Sequence, residues 1–265
     1  METQPPAPRL SGNPIFPGWY ADPEMHIFAG RYYLYPTYSA DYGEQTFFEA
    51  WSSSDLTDWR SEGRILDFAD VSWSTNRAAW APSAIERNGR YYFYFSAGDG
   101  AGLGVAVADH PAGPFRDALG RPLVGHYPHG AQPIDAHAFL DEDGQAYLYF
   151  GGHRHAVVIR LNEDMVSLDG DFLEITPENY VEGPFLLKRR GVYYFMWSEA
   201  CGPRAAGPTP ATPSPTPRRP RRSARSPAWA ASWKTTPPSA WARATTRPYA
   251  IPARTTGTSP TTAAR

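Results

Sequence analysis

The chain has 265 residues and a formal net charge of −2, enough for one large domain with a substantial core. The charge is split: 11 of the 25 Lys and Arg follow residue 200 and all 27 acidic residues precede it, so residues 1–200 carry −13 and the remainder +11. An acidic body argues against nucleic acid as a partner, and no run approaches the ~18 apolar residues of a membrane span. Cys201 is the only cysteine, which excludes an internal disulfide framework. The opening METQPPAPRL has no apolar signal-peptide core, so a cytoplasmic location is expected.

Residues 1–12 are Pro-rich and are expected to form a flexible lead-in. From Asn13 the text is dense in aromatics, and NPIFPGWYADPE runs into the first of four similar stretches: DPEMHIFAGRYYLYPTYS from Asp22, APSAIERNGRYYFYFSAG from Ala81, DAHAFLDEDGQAYLYFGG from Asp135 and EGPFLLKRRGVYYFMWSEA from Glu182. Each reads as two short strands around a turn. Their turn glycines Gly30, Gly89, Gly144 and Gly191 stand 59, 55 and 47 residues apart, the spacing of propeller blades rather than of helical repeats. Ala29-Gly30, Asn88-Gly89, Asp143-Gly144 and Arg190-Gly191 are the expected two-residue hairpin turns, which demand positive φ. Between the stretches, Ser53 to Trp59 reads as a turn and an edge strand, and GLGVAVADHPAGPFRD and AVVIRLNEDMVSL as outer strands of the second and third blades. No sustained 3.6-residue period occurs, so little helix is expected.

The language changes after Glu199. Of the 65 residues from Cys201 to Arg265, 13 are Pro, and Leu, Val, Phe, Asp and Glu are missing altogether. Such a segment cannot bury enough apolar surface to offset its ordering entropy. Residues 201–265 are therefore expected to be a disordered low-complexity tail, following a β domain over 13–200. Two origins fit the tail: a natural Pro- and Arg-rich linker or basic interaction tail, or a reading-frame shift near codon 200 of a GC-rich gene.

Asp22, Asp135 and Glu182 open three of the four stretches, and inner strands of a propeller converge on its axis. Each acid alone reads as a strand-end carboxylate capping a turn or pairing with an Arg. In register across repeats they point to one site, where mutual repulsion should raise at least one pKa. Glycoside hydrolysis uses such a set: one protonated carboxyl for the leaving oxygen and one ionised carboxylate for water or the sugar. Trp80, which precedes the second stretch, stands as the blade-two counterpart of the acids. Trp19, Tyr20 and Trp73 are weaker candidates, read as core or rim. His153 and His155 have no third ligand at a telling spacing, so no metal is assigned to them.

NPIFPGWYADPE, WAPSAIERNGRYYFYFSAG, AQPIDAHAFLDEDGQAYLYFGG and ENYVEGPFLLKRRGVYYFMWSE strongly resemble glycoside hydrolase family 43, the inverting arabinofuranosidases, β-xylosidases and arabinanases, over about residues 12–199. The resemblance implies an all-β fold, a five-bladed β-propeller, here incomplete with about four recognisable blades. It implies Asp22 as general base, Glu182 as general acid, Asp135 as the acid that tunes and orients Glu182, and Trp80 in the sugar-binding floor. The implied activity is hydrolysis of α-L-arabinofuranosyl or β-D-xylosyl linkages in arabinan- or xylan-derived oligosaccharides. No cofactor is required. Some members hold a calcium ion near the axis through a His of the last blade, which is not recognisable here. Two readings from other classes stand beside this one: a truncated, non-catalytic propeller with weak sugar binding, and a protein-binding scaffold propeller.

Overall fold

The computed structural model describes residues 11–98 and 100–199. The rest of the lead-in and the whole tail after residue 200 lie outside the described residues. Two compact units are present: residues 11–186 with 195–199 belong to the first, and Leu187–Tyr194 to the second.

The strands are β1 (Tyr20–Phe28), β2 (Arg31–Tyr38), β3 (Phe47–Ser53), β4 (Trp59–Asp67), β5 (Ala79–Arg87), β6 (Arg90–Ala97), β7 (Gly102–Ala108), β8 (Arg116–Asp117), β9 (His137–Leu140), β10 (Ala146–Phe150), β11 (Val157–Leu161), β12 (Leu168–Glu174), β13 (Tyr180–Arg189) and β14 (Val192–Glu199). They form three four-stranded meanders, β1-β2-β3-β4, β5-β6-β7-β8 and β9-β10-β11-β12, and the hairpin β13-β14. These are three blades and the inner half of a fourth. The only helical segments among the described residues are two 3-10 turns, Phe68–Asp70 and Pro128–Gly130.

Alternation along a strand sends successive side chains to opposite faces, and β6 shows what this does when both faces are covered. Phe93 and Phe95 pack toward the first blade with Tyr35, Phe48 and Phe68, while Tyr92 and Tyr94 pack toward the third with Leu148, Phe150 and Ile159. Phe93 meets Phe48 edge-on at 5.1 Å between centroids and 73°, an arrangement that aromatic quadrupoles favour. Tyrosines at matching positions close each interface with a polar bond. The Tyr35 hydroxyl donates to the Pro111 carbonyl at 2.8 Å, and Tyr94 donates to the Met165 carbonyl at 2.6 Å.

Three of the four expected turns have two residues. Ala29, Asn88 and Arg190 have φ of 48°, 54° and 52°, followed by Gly30, Gly89 and Gly191 at 76°, 76° and 75°. Asp143-Gly144 departs from the expectation. Asp143 is not among the positive-φ residues, and the β9–β10 connection runs through residues 141–145, with the Gly144 N–H donating to the Asp141 carbonyl at 2.9 Å. The Ser53 to Trp59 connection is a turn, as expected: the Ser53 hydroxyl accepts from Leu56 N at 2.9 Å, and Asp55 Oδ1 accepts from Asp58 N at 2.8 Å.

Strand β14 alternates between exposed and half-buried residues, and within the first unit Met196 is 39% exposed. Among the described residues no strand pairs with its outer edge. In the second unit Lys188 Nζ lies 4.7 Å from the Tyr193 ring centre.

Candidate active site

Each inner strand is kinked near its start, and this kink aims the site residues. Asp22, Ala81 and Asp135 have φ of 46°, 38° and 58°, and Gly183 has 69°. Left-handed backbone is uncommon outside glycine and marks positions held by their surroundings. In the first two blades it coincides with a break in pairing: β1 loses register between Ala21 and Glu24, and β5 between Trp80 and Ser83. The extra residues form a bulge, a device that re-aims side chains.

This geometry corrects one expectation. The matching positions are Asp22, Ala81, Asp135 and Gly183, so Glu182 stands one residue before the kink and is not in register with the two aspartates. Trp80 occupies the place of Glu182 rather than that of the aspartates.

The three acids nevertheless come together. Asp22, Asp135, Glu182 and Trp80 all line one pocket of about 500 Å³, with Thr37, Tyr42, Gln45, Ile134, Phe185 and Ser198 among the other walls. Asp135 is half-buried, whereas Asp22 and Glu182 face the opening. Burial, then the negative charges of Glu182 and Asp22, push the Asp135 carboxyl up to about 8, against the opposing hydrogen bond from the Gly183 backbone. Enclosure by protein also raises Glu182, with the Asp22 charge adding to it. Asp22 is raised by the same enclosure, and its hydrogen bond with Thr37 works in the other direction. The trio therefore retains at least one proton at neutral pH, as a coupled group.

Hydroxyls of one blade hold the kink of the next. The Ala81 N–H donates to Thr37 Oγ1 at 2.8 Å, and the Asp135 N–H donates to Ser96 Oγ at 3.0 Å. Trp80 Nε1 donates to Gln45 Oε1, and its ring meets Tyr42 edge-on at 4.9 Å and 70°. A Cβ on Gly98 would come within 2.7 Å of the Trp80 ring, so glycine there makes room for the indole.

The weaker candidates separate. Trp73 is core, with Nε1 donating to Asp117 Oδ2 at 2.9 Å and its ring stacked on Phe95. Tyr20 packs against Phe16 and Trp51 on the first blade, and Trp19 is 81% exposed. His155 Nδ1 lies 2.9 Å from Glu174 Oε1, and His153 lies against the Tyr127 ring. Among the described residues no three His, Cys, Asp or Glu side chains form a metal-binding group. Glu24, His26 and His137 come nearest, but Glu24 Oε2 already accepts the Ala84 N–H and Oε1 faces both rings.

Glu24 and His137 escaped the sequence reading, as did Gln45 and Tyr42. A signal existed for the first two. Each is a polar residue two positions after a site aspartate, and each is buried.

The sequence profile of glycosyl hydrolases family 43 matches residues 11–243. A β-D-galactofuranosidase of Aspergillus niger is 56% identical over 199 residues, covering 71% of this chain and 58% of the relative. Xylosidase/arabinosidase 43A of Humicola insolens is 36% identical over 151 residues, covering 50% of this chain and 43% of that protein. Among solved structures, an α-L-arabinofuranosidase of Clostridium thermocellum superposes with a TM-score of 0.62 at 34% identity, over 69% of this chain and 65% of that one. An arabinoxylan arabinofuranohydrolase of Bacillus subtilis gives 0.63 at 29%, over 72% and 47%. The chain thus spans little more than half the length of the first of these relatives and less of the second. With a matching profile over most of its length and a kinked inner strand delivering an acid from three blades, the chain belongs to glycosyl hydrolases family 43 and its sheets are blades of that family's five-bladed β-propeller.

Proposed function

We propose that the chain hydrolyses terminal glycosidic bonds with inversion at the anomeric carbon, acting on α-L-arabinofuranosyl or β-D-xylosyl units of short oligosaccharides. The observation that carries this reading is the convergence of three carboxyls with raised pKa in one pocket. Asp22, open to the pocket, takes a proton from water as its oxygen attacks the anomeric carbon. The bond from that carbon to the leaving oxygen breaks, its electron pair stays on the oxygen, and Glu182 supplies the proton. Asp135 and Glu182 repel each other's negative charge, so whichever is ionised holds the proton on its neighbour, and the pair keeps an acid available at neutral pH. Trp80, fixed by Gln45 and Tyr42, offers an aromatic face to the C–H face of the sugar.

A second substrate reading rests on the 56% identity to a β-D-galactofuranosidase. A β-D-galactofuranosyl ring has the configuration of an α-L-arabinofuranosyl ring and differs by a longer exocyclic arm. Aryl α-L-arabinofuranoside, β-D-xyloside and β-D-galactofuranoside, offered separately, test both readings. Turnover of any one supports the glycosidase, and the ratio of kcat/KM selects the sugar. No turnover of all three, combined with no sugar-dependent rise in Tm, would leave the scaffold reading instead.

A further inference from the structure

Two residues past the kink, one residue of each inner strand reaches the backbone of the next blade, and two of these, Glu24 and His137, line the pocket. Glu24, Ser83 and His137 occupy matching positions, opposite Tyr35, Tyr94 and Tyr149 respectively. Glu24 Oε2 accepts the Ala84 N–H at 2.9 Å. Ser83 Oγ accepts the Ala138 N–H at 3.0 Å. His137 Nε2 lies 2.8 Å from the Leu186 carbonyl, to which it donates. The sequence puts Glu and His where a Ser suffices in the second blade, and those two side chains meet directly: His137 Nδ1 lies 3.0 Å from Glu24 Oε1. His26 Nε2 stands 3.2 Å from the same oxygen.

Both ring nitrogens of His137 face oxygen atoms. Burial works to raise the Glu24 pKa, but the His26 charge, then the hydrogen bonds from His137 and His26, hold it down at about 2. Glu24 is 8% exposed and His137 5%. A buried, hydrogen-bonded polar pair contributes little net stability but defines one geometry, because its alternatives leave a buried polar group unpaired.

The chain Ala84–Glu24–His137–Leu186 joins the strands that carry all three acids. Glu24 is two residues from Asp22, His137 two from Asp135, and Leu186 four from Glu182. We propose that Glu24 and His137 are positioning residues that set the mutual spacing of Asp22, Asp135 and Glu182 by tying their strands together. Their effect on hydrolysis rests on the function proposed above; their effect on acid spacing does not. Both line the pocket with the acids, but the charges acting on Asp135 are those of Glu182 and Asp22. A changed titration of Asp135 after substitution at Glu24 or His137 must therefore come through displacement.

The test is the carboxyl ¹³C titration of Asp135, with kcat and KM, in the parent chain, Glu24→Gln, His137→Gln and the control Tyr94→Phe. The control removes another buried bond between blades. In the parent, Asp135 titrates at about 8. Loss of the linkage lets the acids spread, so the midpoint falls by about one unit or more in Glu24→Gln and His137→Gln and stays in place in Tyr94→Phe. Where the parent hydrolyses substrate, kcat falls by about tenfold with KM within about threefold. An unmoved midpoint in either folded variant overturns the proposal, whatever happens to Tm. A moved midpoint in a parent that hydrolyses nothing sustains the positioning role and removes the proposed function. If Glu24→Gln does not fold, His137→Gln decides.

Discussion

The Gly183 N–H donates to the Asp135 carboxylate, and the two residues occupy the same kink position in adjacent blades. The acid of the third blade is thereby tied to the backbone beside Glu182. A substitution at Asp135 acts on the charge and on the aim of Glu182 together.

Asp135→Asn should lose hydrolysis and gain stability. Its folded pKa, about 8, lies above the ordinary 3.8, so between those values the unfolded state has already released a proton that the folded state keeps. The parent's stability therefore falls as pH rises through this window, and an amide escapes the penalty. At pH 8 the variant should melt several degrees above the parent, with the gap closing toward pH 4. Turnover should fall by about 10²-fold or more. Thermal melts at both pH values check the sign.

Glu182→Gln and Asp22→Asn should differ in a way that assigns their roles. A general acid matters most when the leaving group is poor. Glu182→Gln should lose about 10²- to 10⁴-fold on an unactivated disaccharide but much less on a dinitrophenyl glycoside. Asp22→Asn should lose similar amounts on both, because water needs a base in either case. Equal losses for both variants on both substrates would contradict the assignment.

Glu24 should shape acid unfolding. Its folded pKa of about 2 lies below the ordinary 4.5, so its stabilising contribution is present above about pH 4.5 and disappears as pH falls toward 2. Urea unfolding should show Glu24→Gln well below the parent at pH 7 and nearly level with it at pH 2.5.

Trp80→Ala should raise KM about tenfold, a loss of roughly 1.4 kcal/mol in binding, with a smaller change in kcat. Trp80→Phe keeps an aromatic face but forfeits the bond to Gln45, and should lie between the two. Initial rates over a range of substrate concentrations separate the effects.

The repeating hairpins were legible in the sequence because Ala29-Gly30 and Asn88-Gly89 announce positive φ and because the tyrosine and phenylalanine runs alternate. The acids were legible as a group for the same reason. The one-residue offset of Glu182 was not, since the left-handed kink leaves no residue signature when Asp22, Ala81, Asp135 and Gly183 all adopt it. Asp143-Gly144 misled because a dipeptide suited to a two-residue turn also fits a longer loop. Gln45 and Tyr42 lie in the loop between β2 and β3, and only folding brings them to Trp80. Glu24 and His137 were hidden by separation: partners 3.0 Å apart stand 113 positions apart in the sequence.

The most direct test of the account is the anomer first released from an aryl α-L-arabinofuranoside, or from the β-D-galactofuranoside if that is the better substrate, followed by proton NMR before mutarotation. The paired base and acid of Asp22 and Glu182 predict the opposite anomer to that of the substrate, with the signal abolished in Asp22→Asn. Release of the same anomer, pointing to a covalent intermediate and a different pair of carboxyls, would contradict it.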